Sequence, residues 1–330
     1  MSETRRHQGA FLATFAGMID RVRAPRGDVS LAADERLDGK HVLVTGASRG
    51  LGRAIARGLA RLGANVHVAV RSLAEETVAD VRAQGGRGTV TAWRLDLERL
   101  DSVDALATSL AAADVRLDVL VLNAGVVPLA SRTTPHGLDM MLQVNALSNM
   151  RLVDRLLAGR VLVPDDVAPR IVVVGSEAHR SSEPIDWTAL ATPRTYTTSQ
   201  VVSEYGRTKL VLHTWVAELT RRLGGPDRHI EVHHLCPGAI ASSIAREAPA
   251  WAKPLLDLTF RAFFQSPDVA ARPVLYLAAS RQLAGQTGVY LHMTVRKEPA
   301  ALSMEPSQGA AGWKAGHEVL AQADFTSQRS

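Results

Sequence analysis

A short apolar run, His41–Thr45, passes into Gly46-Ala47-Ser48-Arg49-Gly50-Leu51-Gly52, and a helix-periodic stretch, Leu51–Leu62, begins inside that segment. Few architectures accept a strand that turns this sharply into a helix. Glycines at positions 46, 50 and 52 let the backbone fold tightly and come close to a ligand. The helix start then directs unsatisfied N–H groups and its positive dipole end at the same point, which suits the pyrophosphate of a dinucleotide. Glycines alone would also serve a purely structural turn. Their place between a first strand and a helix is what points to nucleotide binding.

The pattern repeats downstream. Strands are expected at Asn65–Val70, Val90–Leu95, Val119–Leu122, Arg170–Val174 and Ile230–Leu235. Helices are expected at Leu73–Gln84, Ser102–Ala112, Leu138–Leu157 and Val201–Leu223. Such alternation predicts an α/β, doubly wound parallel sheet of Rossmann type in a single domain. The domain is expected over residues 37–296, after an N-terminal helical extension, 1–36, and before a mobile tail, 297–330, with a short helix around Trp313–Gln322. Ligands of such sheets sit beyond the carboxyl ends of the strands, so the residues just after each strand carry the chemistry.

Composition narrows the function classes. The 330 residues carry a net charge of +5 spread along the chain, and no basic run with interleaved aromatics appears, which argues against nucleic acid as partner. The single cysteine, Cys236, excludes an internal disulfide and suits a cytoplasmic setting. His179, His213, His233 and His234 lack metal-ligand spacing, so no metal is expected. Phe11, Leu12, Phe15, Met18, Ile19 and Val22 share one face of a helix in the extension. That face packs on the domain or, with Arg5, Arg6, Arg21 and Arg23, makes weak contact with a membrane surface.

Arg71 follows the second strand, where an acidic residue would bind the adenosine ribose hydroxyls of NAD. With Arg49 it offers two guanidiniums to a 2′-phosphate, so NADP(H) is the expected cofactor. Asp96 either accepts from the adenine amino group or caps the helix near Ser102.

Tyr205 and Lys209 lie four apart on one helix face, where an ammonium would lower the phenol pKa toward working pH. Such a tyrosine can protonate an alkoxide or take its proton. Alone, the pair could be a surface coincidence. Ser176 follows the Arg170–Val174 strand, Asn145 sits inside a long helix that disfavours it, Asn123-Ala124-Gly125 follows Leu122, and Pro237-Gly238 follows the strand ending at Leu235. Together the pieces TGASRGLG, RLDL, LNAG, QVNAL, VVVGS, YGRTK and CPG, spread over Lys40 to Leu291, closely resemble the short-chain dehydrogenase/reductase family.

That resemblance implies an Asn145, Ser176, Tyr205, Lys209 tetrad. Tyr205 would be the acid/base, Ser176 would hold the substrate oxygen, and Lys209 would bind the nicotinamide ribose and tune Tyr205. Asn145 would support a water relaying protons to Lys209. The cofactor would lie along Gly46, Ser48, Arg49, Gly50, Leu51, Gly52, Arg71, Asp96, Leu97, Asn123, Ala124, Gly125, Pro237 and Gly238. Ser176-Glu177-Ala178-His179-Arg180 and Ser266-Pro267-Asp268 resemble the retinol-dehydrogenase-like branch, which contains relatives of protochlorophyllide reductase. It implies an apolar small-molecule substrate. Leu122 departs from the pattern, since many relatives carry a second Asn there.

Residues 243–265 carry Trp251, Leu255, Leu256, Leu258, Phe260, Phe263 and Phe264, which fit a substrate lid around 240–266, a core helix or a dimer contact. His179 is placed at the pocket wall and Cys236 in packing. The chain is read as an NADP(H)-dependent carbonyl reductase, monomeric or homo-oligomeric. An alcohol dehydrogenase running toward oxidation and a non-catalytic NADP(H)-binding regulator are the alternatives.

Overall fold

The central strands feed two cores at once. In β1 (His41–Thr45), Leu43 joins one cluster while Val42 and Val44 join the other. The same parting separates Leu120 and Leu122 from Val119 and Val121 in β4 (Val119–Leu122), and Ile171 and Val173 from Val172 and Val174 in β5 (Arg170–Val174). Near-continuous aliphatic strands are what a parallel sheet covered on both faces requires. A computed structural model describes residues 29–164, 167–225, 229–239 and 265–327. It contains a sheet in the order β3-β2-β1-β4-β5-β6-β7-β8. Here β2 is Asn65–Val70, β3 Val90–Arg94, β6 Glu231–Cys236, β7 Tyr290–His292 and β8 Val295–Lys297. All pairings are parallel except that of β7 with β8. The order reverses between β1 and β4, which opens the crevice at the carboxyl ends.

Helices Leu100–Ala112, Ser148–Ala158, Val201–Leu223 and Pro306–Ser327 cover one face. Helices Gly50–Arg61 and Pro267–Ala279 cover the other, beside Ala74–Arg82. The α/β, doubly wound Rossmann-type reading therefore holds for the described residues. The amphipathic stretch of the extension and most of the lid, residues 1–28 and 240–264, lie outside them.

Three local expectations change. The long helix over Leu138–Leu157 is interrupted: Met140–Leu142 is α-helical, Gln143–Leu147 forms a π-helical turn, and Ser148–Ala158 resumes the α-helix. Residues 29–36 are part of the packed body, because Glu35 is buried and accepts the Arg281 backbone N–H at 2.8 Å, and Val29 and Leu31 touch the core. The tail is a docked helix of 22 residues, Pro306–Ser327, rather than a mobile strip with a short helix. Trp313 receives the Arg222 guanidinium at 4.3 Å, Asp324 bonds Arg151 at 2.8 Å, and Trp187 donates to Gln308 at 2.9 Å. These anchors are aromatic and ionic and weakly periodic, so an amphipathic pattern alone underestimates the helix.

His317 sits 2.9 Å from the Asp154 carboxylate, and that hydrogen bond holds its pKa above the ordinary value. A raised folded-state pKa adds stability below the unfolded pKa and loses it as pH rises through the folded one. Asp154→Asn is therefore expected to lower Tm more at about pH 6 than at about pH 9. Thermal unfolding at the two pH values checks this.

Candidate active site

The glycine turn is shaped by neighbours that leave no room for side chains. Gly46 and Gly50 have φ of 69° and 53°, which favours glycine. A Cβ on Gly52 would collide with the Gly46 carbonyl oxygen and the Asn123 amide. The helix Gly50–Arg61 starts without a side-chain cap, so its first N–H groups face the crevice without a side-chain acceptor. The turn is tied to β4 from below. The Thr45 hydroxyl accepts the Asn123 and Ala124 N–H groups at 3.0 and 3.1 Å, and Asn123 Nδ2 donates to the Thr45 carbonyl at 2.9 Å. The Asn123 side chain thus supports the turn rather than projecting toward a ligand.

The adenosine end is more exposed. Arg71 pairs with Glu98 at 2.9 Å with its side chain 63% exposed, and Arg49 is exposed beside the turn. The Asp96 carboxylate accepts the Glu98 N–H at 3.1 Å, and the Asp96 N–H donates to the Ser102 hydroxyl at 2.9 Å. Leu97 is buried, and its carbonyl accepts from Gln143 and Ser148 at 3.0 and 2.7 Å. Ser48 is half-buried in the turn, and Leu51 packs into the core.

At the other end the four tetrad residues converge. Asn145 lies in the π-helical turn, which widens the helix and lets its amide meet Val126 in a two-point contact. Its Oδ1 accepts the Val126 N–H at 2.8 Å, and its Nδ2 donates to the Val126 carbonyl at 3.0 Å and to Thr208 at 3.1 Å. Gly125 passes between Asn145 and Lys209: a Cβ on it would stand 3.1 Å from Asn145 Oδ1 and 3.8 Å from Lys209 Nζ. Lys209 Nζ donates to the Val174 carbonyl at 3.2 Å and lies 5.6 Å from the Tyr205 ring centre. The half-buried Tyr205 reaches the Ser176 side chain. Gly206 permits that approach, because a Cβ there would stand 2.7 Å from the Ala178 carbonyl oxygen.

Burial sets the electrostatics. It pushes the Tyr205 phenol up to about 12 against the lowering effect of Ser176, and brings Lys209 down to about 8. The expected lowering of the phenol by the ammonium is thus reversed, since desolvation disfavours both charged forms. Cys236 is buried and its thiol is pushed up to about 11, which suits packing. Pro237 and Gly238 follow β6; Gly238 has φ of 81° and lies against Gln265 and Met293. His179 is 1% exposed, with its ring between the Ser176 carbonyl at 2.7 Å and the Ala300 N–H at 3.0 Å. Leu122, the departure noted above, is a core residue paired with Val173. Thr45, Thr208 and Gly206 were missed in the sequence, although the last two stand inside the Tyr-to-Lys motif.

Residues 40–188 match the sequence profile of the short chain dehydrogenase family. Retinol dehydrogenase 14 of Mus musculus is 34% identical over 91% of this chain and 90% of its own length. The chain is a short-chain dehydrogenase/reductase. It belongs to the retinol-dehydrogenase-like branch, since retinol dehydrogenase 13 of Homo sapiens is also 31% identical over 80% of this chain and 79% of its own. Among solved structures, the angucycline C-6 ketoreductase LanV with bound NADP is 29% identical, with a TM-score of 0.59 over 81% of this chain and 97% of its own. Family membership makes the chain an oxidoreductase with a nicotinamide cofactor, and the glycine cradle fits one.

Gly52→Ala places a methyl group against backbone that cannot yield, so the turn must shift. Cofactor affinity is expected to fall by at least ~10-fold, with the loss of a charge-assisted phosphate contact as the measure of scale. Fluorescence titration with NADPH checks this.

Proposed function

We propose that this enzyme uses NADP(H) to reduce a carbonyl on an apolar small molecule, with Tyr205 as proton donor. The observation that carries the reading is the meeting of Tyr205, Ser176, Lys209 and Asn145 at the carboxyl ends of β4 and β5, beyond a glycine cradle. The cofactor, when bound, supplies the hydride. The chain's own groups manage the oxygen. The Ser176 hydroxyl accepts the Ala178 N–H at 3.2 Å, which orients it and leaves its own proton for a substrate oxygen. Tyr205, kept protonated at neutral pH by burial, gives its proton to the same oxygen. Lys209 keeps donors beyond the one used on Val174 for the nicotinamide ribose. Val126 and Thr208 take three of the four hydrogen-bonding positions of the Asn145 side chain, and its backbone carbonyl accepts from Asn149 at 3.2 Å, so in this reading it fixes the wall beside Lys209.

Arg71 supports the choice of NADP(H). Its pair with Glu98 is exposed and worth at most ~1 kcal/mol, so a doubly charged phosphate can take it over. Apolar substrates are supported by the relatives named as retinol dehydrogenases and by the apolar cluster of Met141, Tyr196 and Val201 against Tyr205.

Tyr205→Phe is expected to lower turnover by ~10²–10⁴-fold while NADPH binding persists, because the ring stays and the phosphates are held elsewhere. Steady-state turnover on a carbonyl panel, with NADPH titration alongside, tests this. Near-full activity in the variant would remove Tyr205 from the proton step. NADPH binding by the wild type without turnover on any substrate would favour the regulator.

Arg71→Ala is expected to raise the KM for NADPH by about tenfold or more, on the scale of ~1.5–3 kcal/mol for a charge-assisted bond, with little change for NADH. An equal effect on both cofactors would contradict the NADP(H) reading.

A further inference from the structure

Ser176 is gripped on its backbone from both sides by stacked imidazoles. The His179 and His213 rings lie 3.9 Å apart and 12° from parallel. His213 Nε2 accepts the Ser176 N–H at 3.3 Å, and its ring fills the space a Cβ on Gly175 would need. His179 Nδ1 donates to the Ser176 carbonyl at 2.7 Å, reinforcing the His179 backbone N–H at 3.2 Å. The second nitrogen of His179 looks away from the site: Nε2 accepts the backbone N–H of Ala300 at 3.0 Å. A carbonyl on one side and an N–H on the other fix the ring as the neutral Nδ1–H tautomer. Ala300 begins the segment that leads into the docked C-terminal helix. The contact is reinforced next door, where Arg180 donates to the Glu298 carbonyl, and Tyr290 donates to Glu177.

We propose that His179 is a positioning residue that locks the Ser176 turn to the C-terminal segment at Ala300. The C-terminal arm thereby becomes part of the active-site scaffold without touching substrate. A serine hydroxyl holding a substrate oxygen works only within a few tenths of an ångström, and such placement depends on the groups behind it. The hydrogen bonds around Ser176 leave its backbone one arrangement, and His179 is the only link among the described residues that carries this constraint through a single ring to residue 300. The inference rests on the reading of Ser176 as the substrate-oxygen ligand.

Conservative substitutions separate the two nitrogens. His179→Asn keeps a donor near the Nδ1 position and loses the acceptor for Ala300. His179→Gln keeps an acceptor near Nε2 and loses the Nδ1 donor to the Ser176 carbonyl, so it cuts the link at its other end. Ala300→Pro removes the donor and puts its ring Cδ where the N–H met His179 Nε2, so it breaks the contact sterically as well, while the φ of −60° suits proline. His179→Asn and Ala300→Pro are each expected to lower kcat by about three- to tenfold, the scale of one hydrogen bond, with the NADPH Kd unchanged. The double variant should lose no more than either single one, since both cut the same link. His179→Gln should lose about as much kcat as His179→Asn, since the link needs both nitrogens. Amide exchange over residues 175–181 should quicken in His179→Asn and Ala300→Pro. It should stay at the wild-type rate in Asp154→Asn, which loosens the C-terminal helix elsewhere.

Multiplying losses in the double variant, unchanged exchange at 175–181, or the same kcat loss in Asp154→Asn would each overturn the lock. Should Ala300→Pro fail to fold, the exchange rates over residues 175–181 in His179→Asn, set against Asp154→Asn, decide. Wild-type protein that binds NADPH and turns over nothing would count against the proposed function alone, because the exchange rates still decide the lock.

Discussion

The Thr45 hydroxyl holds together the point where the sheet divides. It is buried at the end of β1, takes two backbone N–H groups from the turn after β4, and donates onward to the Val121 carbonyl at 3.4 Å. Strand order reverses at this place, so the two turns above it have no ladder to keep them in register. A buried hydroxyl with all its partners present does that work, and Asn123 seconds it from the opposite side. Without this joint the glycine turn and the Asn123-Ala124-Gly125 turn would move independently. The cradle on one side and the Lys209 wall on the other both depend on their separation.

Burial organises the chemistry that the joint frames. Tyr205 and Lys209 are shifted in opposite directions by the same cause, loss of water. The result is a phenol that keeps its proton and an amine that yields its proton more readily than a surface lysine does. Both lie within a shell of backbone carbonyls and small side chains, notably Val174, Gly125 and Gly206. The tetrad reads as four residues in the sequence. In space it is a set of close approaches enabled by glycines.

Much of this was legible in the chain itself. β1, β2, β4 and β5 fall where the aliphatic runs place them, because a strand buried on both faces leaves a dense signal. The short strands β7 and β8 leave almost none, being three residues each. The π-helical turn was half visible, as a polar residue where a helix disfavours it; that Asn145 widens the helix to reach Val126 needs coordinates. The motif sets His179 beside Ser176 without fixing the direction of its ring, which spans from the Ser176 carbonyl to Ala300. Period and spacing carry no information on which way a side chain turns after an irregular loop. The docking of Pro306–Ser327 was hidden for a related reason: its contacts are made by Trp313, His317 and Asp324, which read as surface residues in isolation.

The contact between His179 and Ala300 spans 121 residues of chain. On a ribosome adding about 5–20 residues per second, the turn bearing Ser176 emerges roughly 6–24 seconds before the segment that completes its surroundings. During that interval the first strands and the glycine turn can already pair, since their partners are close in sequence. The turn at Ser176 is therefore the later of the two to gain its full set of contacts during synthesis.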